Sequence, residues 1–209
     1  MIIAKNIRFS YGQGTDFAFP EITVSGGESL LITGGSGKGK TTLLHLLAGL
    51  QRSQSGNIVI ESTDITGLSE KKLDSFRGRN IGLILQQSYF VASLNVLENV
   101  VLASWLATGK QAIDKVKSLL EQLGIQEHAH KLPSQLSIGQ QQRASIARAL
   151  INDPKLLLAD EPTSSLDDEN AAIVADMLAG LAQQFGTALI IVTHDQRLKE
   201  RFRNQINLS

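Results

Sequence analysis

Apolar positions along the chain follow two periods, and the switches between them mark its elements. Residues 2–9, 17–24 and 29–33 read as strands, and residues 41–50, after a cluster of glycines, as an apolar helix. A short strand over 57–61 lies between turn residues, and 81–85 reads as a buried strand. From 87 to 135 the pattern is helical with no strong strand, which predicts a helical insert. Alternation then resumes, with a helix over 139–151, a strand over 155–159, a helix over 171–185, a strand over 187–192 and a last short strand over 204–208. In the 171–185 helix, Ile173, Val174, Met177, Leu178, Leu181 and Phe185 recur at helical spacing. Residues 155–159 and 187–192 are nearly all apolar, as in strands buried on both faces of a parallel sheet. The pattern predicts an α/β fold around a mostly parallel sheet, with the early strands forming a separate antiparallel part.

Bulk properties narrow this picture. A chain of 209 residues suffices for one well-packed domain but not for two full ones. The formal net charge of zero gives no reason to expect a nucleic-acid partner. The absence of cysteine excludes a disulfide framework and a thiolate metal site. The N-terminus lacks the apolar core of a signal peptide. The longest apolar stretch, 91–106, is broken by Ser93, Asn95, Glu98, Asn99 and Ser104, so the chain is not expected to span a membrane by itself.

The glycine cluster carries chemistry. Gly34, Gly35, Ser36, Gly37, Lys38, Gly39, Lys40 and Thr41 follow the pattern G-x-x-x-x-G-K-[ST], and Thr42 continues into the helix. The loop follows a strand and opens a helix, the context in which backbone N–H groups and the helix N-terminus converge on phosphate oxygens. Lys40 is suited to the β- and γ-phosphates of a nucleoside triphosphate, and the Thr41 hydroxyl to Mg²⁺. Further on, the strand over 155–159 ends in Asp160 and Glu161. At such a strand end, Asp160 is placed to hold Mg²⁺ and Glu161 to deprotonate an attacking water. His194 follows the next buried strand directly and is suited to hydrogen-bond a γ-phosphate.

Leu136, Ser137, Ile138, Gly139 and Gln140 precede a helix, with Ser137 and Gln140 at capping-box spacing. That spacing alone describes a well-capped helix; its order relative to the other motifs changes the reading. Over essentially its whole length the chain resembles the ABC (ATP-binding cassette) ATPases. The 136–140 segment is similar to that family's LSGGQ signature. Tyr11 corresponds to the aromatic that stacks on adenine, Gly34 to Thr41 to Walker A, Gln86 to the Q-loop glutamine, Leu156 to Glu161 to Walker B with the catalytic glutamate, Ser165 to Asp167 to the D-loop, and His194 to the switch histidine.

The resemblance implies a P-loop NTPase with a RecA-like core and an antiparallel β subdomain over 1–86 and 136–209, and a helical subdomain over 87–135. It implies ATP and Mg²⁺ as ligands, with Gln86 linking the Mg²⁺ site to the helical part. It further implies a head-to-tail homodimer in which Ser137, Gly139, Gln140 and Asp167 of one copy face the ATP held by the other. Gln86 to Glu98, with Tyr89, Phe90, Val91 and Leu94, would receive an integral membrane permease on the cytoplasmic side of the inner membrane. Two positions depart from the family pattern: Ile138, usually glycine, and Lys38, usually small.

Lys40 and Leu136 are 96 positions apart, which argues against the long coiled-coil members of the family, and the single cassette argues against its translation factors. Residues 63–86, 94–100 and 140–150 are similar to the lipoprotein-releasing and macrolide-exporter ATPases. Amino-acid importers share much of this pattern, and a regulatory ATPase that transports nothing would carry the same cassette.

Overall fold

The structure is a computed structural model that describes residues 1–12 and 16–208. Two five-stranded sheets organise it. The first is antiparallel and centres on β1 (Ile2–Ser10), which pairs with β2 (Asp16–Ala18), β3 (Ile22–Val24) and β5 (Ser55–Ile60), with β6 (Thr63–Asp64) beside β5. The second contains β4 (Ser29–Gly34), β7 (Ile81–Ile84), β8 (Leu156–Asp160), β9 (Ala188–Thr193) and β10 (Gln205–Leu208). Its order is β10-β4-β9-β8-β7 and every pair is parallel.

Side chains alternate between the two faces of a strand, and the parallel sheet uses both. Leu31, Ile84, Leu157, Ala159, Leu189 and Ile191 point into one core, shared with helices α3 (Val96–Thr108), α4 (Ile113–Gln122), α5 (Ile138–Leu150) and α6 (Asp168–Phe185). Leu30, Ile32, Leu156, Leu158, Ile190 and Val192 point into the other, shared with α1 (Lys40–Leu47) and the antiparallel sheet. All residues of β8 and β9 are buried, as their unbroken apolar runs predict.

Two elements differ from the sequence pattern. The strand expected over 17–24 is two strands, β2 and β3, interrupted around Pro20, which has no N–H to give to a ladder. Both pair with β1 in one continuous register, Arg8 opposite Ala18 and Ala4 opposite Ile22. The pattern also predicts no helix over α2 (Glu70–Asn80), in which Leu73 alone is buried. Between β7 and β8 the described elements are helical, and α3 begins at a capping box of Asn95 and Glu98. Among the described residues, no helix is long and apolar enough to cross a membrane.

Candidate active site

In an open parallel sheet, ligands collect beyond the strand C-termini. Here β4 runs into the glycine loop, β8 ends in Asp160 and Glu161, and β9 ends one residue before His194. Gln86 lies two residues beyond β7. Because β4, β9, β8 and β7 are parallel neighbours, all four ends open on one edge. A cleft of about 670 Å³ lies there, and its walls include Tyr11, Lys40, Thr41, Gln86, Glu161 and His194.

The loop is shaped by two left-handed glycines, Gly37 (φ 77°) and Gly39 (φ 84°). A Cβ at Gly39 would fall 2.7 Å from the Phe17 ring. Gly39 is also the N-cap of α1 and offers no side-chain acceptor, so it does not cap the first-turn N–H groups with a side chain, which suits them to an anion. Lys40 Nζ donates to the carbonyls of Gly34 at 2.8 Å and Gly35 at 3.0 Å, which folds the cation back over the loop. Ser36 and Thr42 line the cleft, whereas Lys38 is exposed and does not. Tyr11 stands at the rim, 52% exposed, its hydroxyl 3.2 Å from Thr42 Oγ1. Its ring meets Phe9 edge to face, with centroids 4.7 Å apart.

Thr41 Oγ1 donates to Asp160 Oδ2 at 3.2 Å. Asp160 is buried, and burial pushes its carboxyl above the ordinary aspartate value; the Thr41 hydrogen bond opposes this and the charge of Glu161 adds to it. A buried carboxylate beside a second acid is stabilised by a cation, and a hydroxyl with a carboxylate is the hard-oxygen set that suits Mg²⁺. Among the described residues there is no cluster of three or more His, Cys, Asp or Glu that could hold a metal. Mg²⁺ that relies on one carboxylate, one hydroxyl, phosphates and water fits that arrangement.

Glu161 sits at φ 48°, a left-handed conformation uncommon for a residue with a side chain. Its carboxylate is held from two sides. Thr193 Oγ1 donates to Oε2 at 2.6 Å, while the His194 backbone N–H donates to Oε1 at 3.0 Å. His194 Nδ1 lies 2.7 Å from Oε1. A carboxylate only accepts, so Nδ1 carries the proton there and Nε2 is the ring's remaining polar atom. Thr193 is missed by motif reading. Its signal is the single hydroxyl closing an otherwise apolar strand, ALIIVT, directly before His194.

Other expected site residues lie elsewhere. Ser137 Oγ accepts from the Gln140 N–H at 3.3 Å, and Gln140 Oε1 accepts from the Ser137 N–H at 2.9 Å, a closed capping box at the start of α5. With Gly139, these residues are not part of the cleft around Lys40. Asp167 caps α6: it accepts from the Asn170 backbone N–H, which holds its carboxyl below the usual range. Of the residues expected to receive a partner, Tyr89 and Val91 are exposed, whereas Phe90 and Leu94 are half-buried. Phe90 packs under the Arg148 guanidinium, 4.9 Å from its ring centre. Buried Asn99 organises this loop by accepting from the Val91 N–H and donating to the carbonyls of Val91, Leu94 and Asn95.

Comparison with known proteins agrees with this geometry. Residues 20–164 match the family described as ABC transporter. The chain belongs to the ABC transporter family. The cassette is 42% identical, over 90% of its length and 81% of the relative's, to the lipoprotein-releasing system ATP-binding protein LolD of Shewanella denitrificans. It is 40% identical to the protein of that name from Legionella pneumophila, over 96% of this chain and 91% of that one. A solved dimeric ATP-binding cassette in a post-hydrolysis state with ADP and Pi superposes with a TM-score of 0.88 at 30% identity, over all of this chain and 94% of that one. The cassette is an ATPase.

Proposed function

We propose that this cassette is the ATP-hydrolysing subunit of a lipoprotein-releasing type of membrane complex. One observation carries the chemistry: the phosphate loop, Thr41 and Glu161 line a single cleft, with buried Asp160 hydrogen-bonded behind Thr41. Lys40 and the first turn of α1 hold the phosphates, and Tyr11 contacts the base. Thr41 and Asp160 hold Mg²⁺ with Gln86, and the ion supplies charge neutralisation at the phosphates. Glu161 takes the proton of the attacking water, and His194 contacts the γ-phosphate through Nε2.

The cleft of one copy is incomplete. The N-terminus of α5 can present N–H groups to an anion, and it lies outside the cleft around Lys40. A second copy placed head to tail supplies Ser137, Gly139 and Gln140 to the phosphates and Asp167 to the shared interface. Closure on ATP and opening after hydrolysis move residues 87–135, with Gln86 as the hinge. A permease seated beside Tyr89 and Val91 carries that motion across the inner membrane from its cytoplasmic side. The LolD relatives support the lipoprotein-release branch.

The test is capture of the Glu161→Gln variant from native membranes with ATP present. A partner with few spanning helices and a large outer domain is the expected outcome. A many-helix permease would instead favour an amino-acid importer, and soluble partners alone would take the protein out of transport.

Ile138 modifies closure. It is 60% exposed at the first position of α5, where in a head-to-tail dimer it would add bulk beside the phosphates held by the other copy. Overpacking a tight contact costs about 1–3 kcal/mol. Ile138→Gly is expected to raise turnover and ATP-dependent dimerisation by roughly tenfold. Steady-state hydrolysis and gel filtration measure both, and an unchanged or lower rate would remove this role.

A further inference from the structure

Outside the cleft, the described residues hold one dense cluster of charge with no part in the motifs: Arg197 with Asp195 and Asp168. Arg197 follows the His194 turn, and every donor of its guanidinium is used. Nε and one terminal nitrogen donate to the Asp195 carboxylate at 2.9 and 2.7 Å. The same terminal nitrogen donates to the Thr163 carbonyl at 3.2 Å. The other donates to Asp168 Oδ1 at 2.6 Å and the Leu166 carbonyl at 3.3 Å. The side chain thus ties the loop after Glu161 to the turn after His194, two segments that the sheet order alone leaves independent beyond β8 and β9.

From there the contacts run inward. The buried Thr163 hydroxyl donates to Asp195 Oδ2 at 2.7 Å, and the Asp195 N–H donates to Thr193 Oγ1 at 2.9 Å. Thr193 Oγ1 donates in turn to Glu161 Oε2 at 2.6 Å. A hydroxyl that accepts from a fixed N–H has its own proton directed, so Asp195 fixes the Thr193 side of the Glu161 carboxylate, while His194 holds the other oxygen.

We infer that Arg197 is a positioning residue for hydrolysis: by clamping residues 163–168 to Asp195 it sets, through Thr193, the orientation of Glu161. This rests on the reading of Glu161 as the base. Arginine is required at this position, since a lysine has three donors at one point and cannot reach two carboxylates and two carbonyls at once. The strength of the Asp195 contact is consistent with this, because the Arg197 hydrogen bonds hold the Asp195 carboxyl down at about 2.

The test compares Arg197→Ala, Arg197→Lys and Asp168→Asn, the last at a side chain 93% exposed whose removal leaves the fold standing. Each is measured for kcat, for KM and for ATP affinity. Misplacing a reacting group by about 1 Å costs up to about 100-fold, so Arg197→Ala is expected to lower kcat by about 10- to 100-fold with KM and ATP affinity within about twofold. Arg197→Lys does not rescue, and Asp168→Asn shows a smaller loss of the same kind. In a Thr193→Val background, Arg197→Ala adds little further loss, because both act on one carboxylate. Unchanged kcat in Arg197→Ala and Asp168→Asn, full rescue by lysine, or losses that multiply with Thr193→Val would each overturn the clamp. Glu161→Gln measured alongside separates the two readings: turnover retained there refutes the base, whereas turnover lost there but kept in Arg197→Ala refutes only the clamp.

Discussion

Glu161→Gln is expected to lower the rate of ATP hydrolysis by about two to four orders of magnitude, the usual worth of a positioned general base. The substitution leaves the shape of the site intact. An amide oxygen in place of Oε1 still accepts from the His194 N–H and Nδ1–H. The amide nitrogen then faces Thr193 Oγ1, whose two lone pairs can accept from it and from the Asp195 N–H together. The phosphate loop and the Thr41–Asp160 pair are untouched, so ATP affinity is retained. With binding kept and hydrolysis blocked, the variant accumulates as an ATP-bound dimer, which gel filtration with and without ATP detects. Wild-type turnover in the variant would remove Glu161 from the base role. Loss of turnover with no ATP-dependent dimer would instead count against the head-to-tail sandwich.

The resting geometry bears on that experiment. Both oxygens of Glu161 are engaged by Thr193 and His194. With both positions of Oε1 taken by His194 and one of Oε2 by Thr193, the carboxylate keeps one acceptor position, on Oε2, for a water proton, and its direction is fixed before any ligand arrives. Preorganisation of this kind is where much of an enzyme's advantage resides. It also explains why a non-glycine residue tolerates φ 48° at this position: the Glu161 N–H donates to the Val192 carbonyl at 2.9 Å, so the strained backbone is held by the neighbouring strand.

What the sequence reveals follows from where each signal resides. The central strands β8 and β9 are legible because burial on both faces forbids polar residues, which leaves unbroken apolar runs. The phosphate loop is legible because glycines are demanded by backbone angles and by the close approach of Phe17. Helix α2 is not, because an element that buries only Leu73 has no apolar face to read. The split between β2 and β3 turns on one missing N–H at Pro20, a local effect inside an otherwise continuous register. The Arg197 clamp was out of reach for a different reason. Two of its acceptors are main-chain carbonyls, of Thr163 and Leu166, which every residue possesses and no motif can mark. Exposed arginines near exposed aspartates are common, and only the fold shows that these belong to one network.

Removing the phosphate-loop cation should act on a different step. Lys40→Ala is expected to weaken ATP binding by roughly 10- to 150-fold, the equivalent of about 1.5–3 kcal/mol for a hydrogen bond to a charged group. Alanine is a better helix former than lysine, so α1 is preserved, and Gly37 and Gly39 still set the turn. The carbonyls of half-buried Gly34 and exposed Gly35 lose their donor, and water can replace it. Fold stability therefore stays near that of the wild type, and thermal unfolding without nucleotide separates a binding defect from a folding one. Titration with ATP should show the weaker affinity directly, and the stabilisation by ATP of the unfolding midpoint should shrink with it, since a ligand stabilises in proportion to the logarithm of its occupancy ratio. Lys40→Arg should not restore binding, because a planar guanidinium cannot fold back over Gly34 and Gly35 as the compact ammonium does. Unchanged ATP affinity in Lys40→Ala would place the phosphates elsewhere than at the start of α1.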